Sequence, residues 1–212
     1  MYLHEKYWDP QQKIRLVPPV IYPKKEPMIL GRMKEYLTTR GLDYGLAFKY
    51  GWYPALYNGP RVIVPCASTI ALWWQGRLID HHLPTEIAAK WKRWDSPVGW
   101  RGDAVCYLQV VDADTILIVE GPLDALKAAM LGYSAIATLG TTPGLTAIKH
   151  IASISKDYSR RLLLPDTDAI SDAVRLQRYV GLVGSSLEII ELNSGYKDLA
   201  ATPFDLAKEL LG

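Results

Sequence analysis

The 212 residues are 49% apolar and carry a formal net charge of +2, which excludes wholesale disorder and allows one large domain or two small ones. The two cysteines, Cys66 and Cys106, form no C-x-x-C pair, which excludes a zinc site built on paired cysteines and a disulfide framework, so a reducing cytoplasm is the expected compartment. Up to Asp112 there are 15 Lys and Arg against 10 Asp and Glu, from Ala113 onward 9 against 12, and all seven tryptophans fall in the first part. A basic, aromatic half beside an acidic half fits a nucleic-acid track feeding a metal site, although composition alone favours the simpler reading of a basic surface over a tryptophan core.

Residues 1–28 are polar and punctuated by Pro10, Pro18, Pro19, Pro23 and Pro27, which reads as an extended arm. There is no apolar signal core at the start, and no apolar run approaches membrane-span length, so no membrane association is expected. Residues 29–50 read as two short helical pieces, with Leu30, Met33, Lys34 and Leu37 at helical spacing and Gly41 as the C-cap of the first. Tyr50-Gly51-Trp52-Tyr53-Pro54 is turn-rich. Strands are expected at 61–65 and 69–78, forming an antiparallel pair, with Gly76 as a bulge. The stretch Ala89-Lys90-Trp91-Lys92-Arg93-Trp94-Asp95 interleaves cations with indoles. Cations meet phosphates and indoles stack on bases, so it is the best local candidate for nucleic-acid binding; the alternative is a loop strand with both tryptophans buried.

From Thr115 the pattern becomes regular. Strands are expected at 115–120, 134–138, 161–164 and 186–190, and helices at 122–131, 145–155, 169–180 and 203–211. Alternating strands and helices predict a four-stranded, mainly parallel sheet flanked by helices. The basic α+β subdomain, 29–112, precedes it, and the α/β unit spans 113–212.

Two of these strands end abruptly in acids. Ile116-Leu117-Ile118-Val119 runs into Glu120-Gly121-Pro122-Leu123-Asp124, and Leu162-Leu163-Leu164-Pro165 runs into Asp166-Thr167-Asp168. The carboxyl ends of parallel strands are where ligands bind, so Glu120, Asp124, Asp166 and Asp168 are expected at one sheet edge. Asp172 lies one helical turn beyond Asp168, and Asp198 follows the fourth strand. Single aspartates after strands are commonly helix caps, which is the competing reading of Asp124, Asp172 and Asp198. As a set, the carboxylates call for a cation between them, and Mg²⁺ or Mn²⁺ is the usual occupant. Such ions can clamp the attacking and leaving oxygens of a phosphoryl or nucleotidyl transfer.

These acidic motifs, Glu120-Gly121-x-x-Asp124 and Asp166-x-Asp168, joined by Ala135-Ile136-Ala137-Thr138-Leu139-Gly140-Thr141, resemble a Toprim domain. The Leu139-Gly140-Thr141 step resembles that of the bacterial and phage (DnaG-type) primases. In the first half, Arg61-Val62-Ile63-Val64-Pro65, Gln75-Gly76-Arg77, Lys92-Arg93-Trp94-Asp95-Ser96-Pro97 and Tyr36-Leu37-x-x-Arg40-Gly41-Leu42 resemble segments of the same primase core, in the same order. Thr167 and Ile170 stand where the family often has glycine.

The resemblance implies a DNA primase, a nucleotidyltransferase active in DNA replication. A primer 3′-hydroxyl would attack a ribonucleotide α-phosphate on a single-stranded DNA template and release pyrophosphate. By motif match, Asp124, Asp166, Asp168 and Asp198 would hold magnesium or manganese, and Glu120 would be the catalytic carboxylate, on a metal or on the hydroxyl proton. Arg61, Arg77 and Lys92 would contact template or nucleotide phosphates, with Lys90, Arg93 and Arg101 on the same track. A short core without a preceding cysteine-rich zinc module implies a phage or mobile-element protein acting in a host cytoplasm. It would lean on a replicative helicase or a separate template-recognition protein. A Toprim nuclease, or a nucleic-acid-binding primase relic without catalysis, would use the same residues differently.

Overall fold

Short, almost continuously buried strands build an antiparallel sheet from the basic half. A computed structural model describes residues 21–67, 72–81, 83–97, 102–140, 142–192 and 195–212. The first sheet contains β1 (Tyr53–Leu56), β2 (Pro60–Ala67), β3 (Leu72–Leu78) and β4 (Trp94–Asp95), hydrogen-bonded in that order. The expected β2–β3 pair is present, in continuous register from Arg61↔Leu78 to Ala67↔Leu72. Gly76 is therefore not a bulge: it sits in register opposite Ile63, where an added Cβ would lie 3.0 Å from Arg61 Cδ and 3.1 Å from Ile63 Cδ1. Its missing side chain makes room for the arginine. β1 lies in the stretch read as turn-rich, and its Pro54 is tolerated because β1 is an edge strand.

Two helices back this sheet. Helix α1 (Leu30–Thr39) buries Met33, Tyr36 and Leu37 and ends as expected: Gly41 has φ +65°, with its N–H bonded to Thr38 O and that of Leu42 to Leu37 O. Helix α2 (Tyr44–Lys49) starts at Asp43, whose carboxylate accepts from Gly45 N and Leu46 N. The end of the proline-rich segment lies on the first sheet: Trp74 donates to Ile21 O, Tyr22 to Trp73 O and Tyr53 to Pro23 O. A short helix, α3 (Thr85–Ala88), precedes β4. Trp52, Trp73 and Trp74 are buried, so these indoles are core, as composition favoured.

The second sheet has the order β5 (Cys106–Leu108), β7 (Ser134–Ala137), β6 (Thr115–Val119), β8 (Arg160–Leu163), β9 (Glu188–Ile189). Four strands are parallel, as expected; β5 is an antiparallel fifth, contributed from before Asp112. The connecting helices are α4 (Pro122–Met130), α5 (Leu145–Ser155) and α6 (Ile170–Leu182), and α7 (Phe204–Leu211) follows β9. Successive β6 side chains face opposite ways. Leu117 and Val119 join a core with α1, α4, α7 and the first sheet, while Ile116 and Ile118 join a second core with α5 and α6. The larger core thus takes side chains from both halves. One bridge, Ala67↔Val105, joins the two sheets through a pair of hydrogen bonds. Among the described residues no helix is long and apolar enough to cross a membrane.

Candidate functional site

β6 and β8 are neighbouring parallel strands whose following helices go to opposite faces of the sheet, α4 to one and α6 to the other. The backbone parts there, opening a crevice at the strand ends, where parallel α/β sheets take their ligands. Glu120 follows β6 and Asp166 follows β8, so one acid stands on each side. A small cleft of about 30 Å³ occupies the crevice, lined by Val119, Glu120, Thr138, Leu164, Pro165 and Asp172 among others. The Leu139-Gly140 step forms its third side. Leu139 N donates to Glu120 O and the Thr138 hydroxyl to Gly140 O. Leu139 has φ +63°, uncommon for a branched side chain, and is buried, so core packing holds the turn open beside Glu120. Thr141 lies outside the described residues.

The acids act on one another. The Asp166 carboxyl is pushed up to about 6, first by burial and then by Glu120 and Asp198; Lys197 works the other way and Asp168 adds to the rise. The Asp124 carboxyl is pushed up to about 8, first by burial, then by Asp198, with the Ala200 N–H opposing and Asp166 adding. The sheet thus brings Glu120, Asp124, Asp166, Asp168 and Asp198 within electrostatic reach at one edge. Backbone ties fix the parts: Thr167 N donates to Lys197 O, joining the loop after β8 to the 195–202 turn.

The individual acids differ in availability. Asp124 is buried and accepts from Ala200 N at 2.8 Å. Asp198 accepts from Ala201 N at 2.8 Å within the 195–202 turn, while still facing Asp124 and Asp166. Asp172 holds Arg175 at 2.8 Å, a bond within α6 that takes it out of the cluster. Glu120 and Asp166 are half-buried and Asp168 is exposed. Among the described residues, no three acid, histidine or cysteine side chains converge as a ready-made metal cage. The donor chemistry nevertheless fits a hard divalent cation: the oxygens are carboxylate, they repel one another, and Mg²⁺ retains several waters with only one or two protein carboxylates.

The basic candidates divide sharply. Arg61 is fully buried. Its guanidinium donates to the carbonyls of Tyr57, Asn58, Gly76 and Lys92 and lies 3.7 Å from Asp95. Arg77 is also buried; it donates to the Tyr36 hydroxyl and stacks over Tyr36 and Trp94. Both hold the first sheet together from inside. Lys90, Lys92 and Arg93 are exposed on the segment around β4, and Arg93 Nε lies 3.9 Å from Asp80. Trp91 is partly buried against Gly59, where a Cβ would come within 2.6 Å of its ring. Arg101 lies outside the described residues. Sequence reasoning passed over Lys127, buried on α4; the visible signal was a lysine inside the apolar run Ala125-Leu126-Lys127-Ala128-Ala129.

No family model and no curated protein matches the chain by sequence. Solved structures do match by fold. The Aquifex aeolicus primase (zinc-binding and RNA polymerase domains) superposes with a TM-score of 0.62 at 18% identity, over 84% of this chain and 53% of that one. The primase fragment of the bacteriophage T7 primase-helicase protein gives 0.60 at 15%, over 82% and 71%. A bacteriophage T7 assembly of lagging-strand DNA polymerase with primase domains bound to an RNA/DNA hybrid and dTTP gives 0.54 at 15%, over 76% and 80%. This chain spans about half the length of the Aquifex protein. It has the fold of these primase domains, as its motifs implied.

Proposed function

We propose that this chain is a primase-like catalytic core that joins ribonucleotides on single-stranded DNA by metal-dependent nucleotidyl transfer. The observation that carries the reading is that Glu120 and Asp166 follow the neighbouring parallel strands β6 and β8 and act on one another electrostatically, inside a primase fold. Asp166, Asp168, Glu120 and Asp198 would hold Mg²⁺ or Mn²⁺, and Asp124 would fix the 195–202 turn beneath them. The ion, when bound, would neutralise charge on the transferring phosphate and its leaving group. Glu120 stands at the crevice mouth, where a carboxylate can accept the proton of an attacking hydroxyl. The burial of Asp166 among like charges keeps its carboxyl poised to exchange a proton for a cation.

Lys90, Lys92 and Arg93, exposed beside β4, would carry the strand's phosphates. Arg61 and Arg77 would act indirectly, by fixing the sheet that presents this segment. A replicative helicase or a template-recognition protein would supply what a core alone does not. The test is synthesis of short RNA on varied single-stranded DNA templates with Mg²⁺ or Mn²⁺ and helicase present. Product that vanishes in Asp166→Asn and Asp168→Asn supports the reading. No product on any template counts against it, and metal-dependent cleavage without nucleotides points to a nuclease.

A second reading, a nucleic-acid-binding core without catalysis, is favoured by one observation: Asp124 and Asp198 already accept backbone amides, which leaves fewer carboxylate oxygens for a cation. It predicts strand binding that Asp166→Asn and Asp168→Asn leave unchanged, with no primer made.

A further inference from the structure

On the α4 face of the second sheet, away from the β6–β8 crevice, an open cleft of about 410 Å³ is lined by Arg40, Gly41, Lys127, Ala200, Thr202 and Phe204 among others. Its walls are the end of α1, the middle of α4 and the start of α7. Lys127 is 2% exposed. It forms no ion pair or hydrogen bond with the described residues, and its one partner is the Phe204 ring, 5.7 Å from Nζ. Burial lowers its pKa. Its stem is buried while its ammonium opens onto the cleft without a protein acceptor, so an incoming anion would take the place of water beside it.

The surroundings are those of an anion site. Arg40 is exposed, sits over the Tyr36 ring and pairs with no described carboxylate. The eight-residue helix α7 begins at the cleft; its N-cap is Pro203, with no side-chain cap on its first N–H groups, so the positive end of its dipole is uncovered. Asp205 in its first turn is exposed and partly opposes that end. No carboxylate lines the cleft among the described residues. The cleft also shares a turn with the acidic edge, since Ala200 lines it while its N–H donates to Asp124.

We propose that this cleft is a phosphate-binding site in which Lys127, Arg40 and the α7 N-terminus receive a phosphate group behind the carboxylate edge. The phosphate has two sources, a free polyphosphate or the backbone of a single strand. The site itself stands apart from the primase reading, which supplies only the expected ligands.

The test uses the full chain without divalent cations, so the carboxylate edge plays no part. Pyrophosphate binding is measured by calorimetry and by the shift in unfolding temperature, and oligo(dT) binding by fluorescence anisotropy against salt. Lys127→Met keeps the volume and removes the charge, so it is expected to fold; Arg40→Gln is a surface change. Loss of pyrophosphate binding by about tenfold or more in both variants, with oligo(dT) unchanged, assigns a free polyphosphate. A fall of about 0.7 in the salt slope for oligo(dT), one lost single-strand contact, with pyrophosphate unbound by all forms, assigns the strand. If both variants bind both probes as the parent does, or the parent binds neither, the proposal is overturned. Primer synthesis that fails while this site binds phosphate sinks the primase reading and leaves this one standing.

Discussion

Asp124 Oδ1 accepts the backbone N–H of Ala200 at 2.8 Å, across 76 positions of sequence. This bond fastens the first turn of α4 to the turn that carries Asp198. Asp124→Ala strands a buried amide, so we expect a loss of about 1–3 kcal/mol in denaturant unfolding without metal. Asp124→Asn keeps an acceptor and cannot ionise, so it should retain parental stability. Equal losses in the two variants would show that the bond is not what Asp124 contributes.

The same residue sets a pH dependence. In the absence of divalent cations the Asp124 and Asp166 carboxyls are pushed up to about 8 and about 6, from an ordinary 3.8. Folding raises both values, so between the ordinary value and the raised one the folded state holds more protons than the unfolded chain. Stability therefore falls as pH rises through that window, and the penalty is complete above about pH 8. Thermal unfolding in chelator should show this decline, flattened in Asp124→Asn. A stability that rises across the same window would refute the assigned direction.

Mg²⁺ should act against that decline. A cation bound at the acidic edge stabilises the fold in proportion to its occupancy, and more at neutral than at acid pH, because protons compete for the same oxygens. Asp166→Asn should lose most of the Mg²⁺-dependent rise in unfolding temperature. Asp172→Asn should keep it, because Asp172 is held by Arg175. An identical response in the two variants would place the cation elsewhere.

The two classes of cation on the basic half separate by experiment. Arg61→Ala removes one donor from each of four carbonyls and the buried cation beside Asp95 in the first sheet, and should cost about 3–5 kcal/mol. Lysine is not expected to rescue it, since it lacks the planar fork. Lys92→Ala, on an exposed side chain, should shift stability by no more than about 0.5 kcal/mol and should weaken single-strand binding in a salt-dependent way.

Much of this was legible in the residues, for physical reasons. The β6, β7 and β8 strands are short apolar runs bounded by Gly, Pro or acids, and α5 falls on its expected residues, Leu145–Ser155. Strand ends announce themselves when an apolar run stops at a carboxylate, which is why the acidic edge could be read. The interior roles of Arg61 and Arg77 could not. Their partners are mostly backbone carbonyls or an aromatic ring far along the chain, and carbonyls leave no mark in a sequence. β5 escaped notice because three residues of an antiparallel edge carry no period, and β1 because Pro54 looks like a turn residue. Asp198 caps no helix, because α7 starts at Phe204 with Pro203 as its N-cap; its carboxylate bonds the turn amide of Ala201 and still repels other acids.

Among the described residues one bridge joins the two sheets, and it makes a latch. Ala67 and Val105 exchange both backbone bonds, so the next antiparallel pair, Cys66 and Cys106, is of the closely approaching kind, with Cα atoms roughly 4.5 Å apart, inside disulfide range. Both thiols are free and buried, and they face each other. A mild azo oxidant that accepts two electrons and two protons would convert them to one sulfur–sulfur bond. Closing that loop is worth about 4 kcal/mol by chain entropy, visible as a higher denaturant midpoint and as two fewer titratable thiols. The seam between the basic half and the acidic edge can thus be locked by the oxidant and released by a thiol reductant, and strand binding by the locked form reports whether the two sheets must shift to take it up.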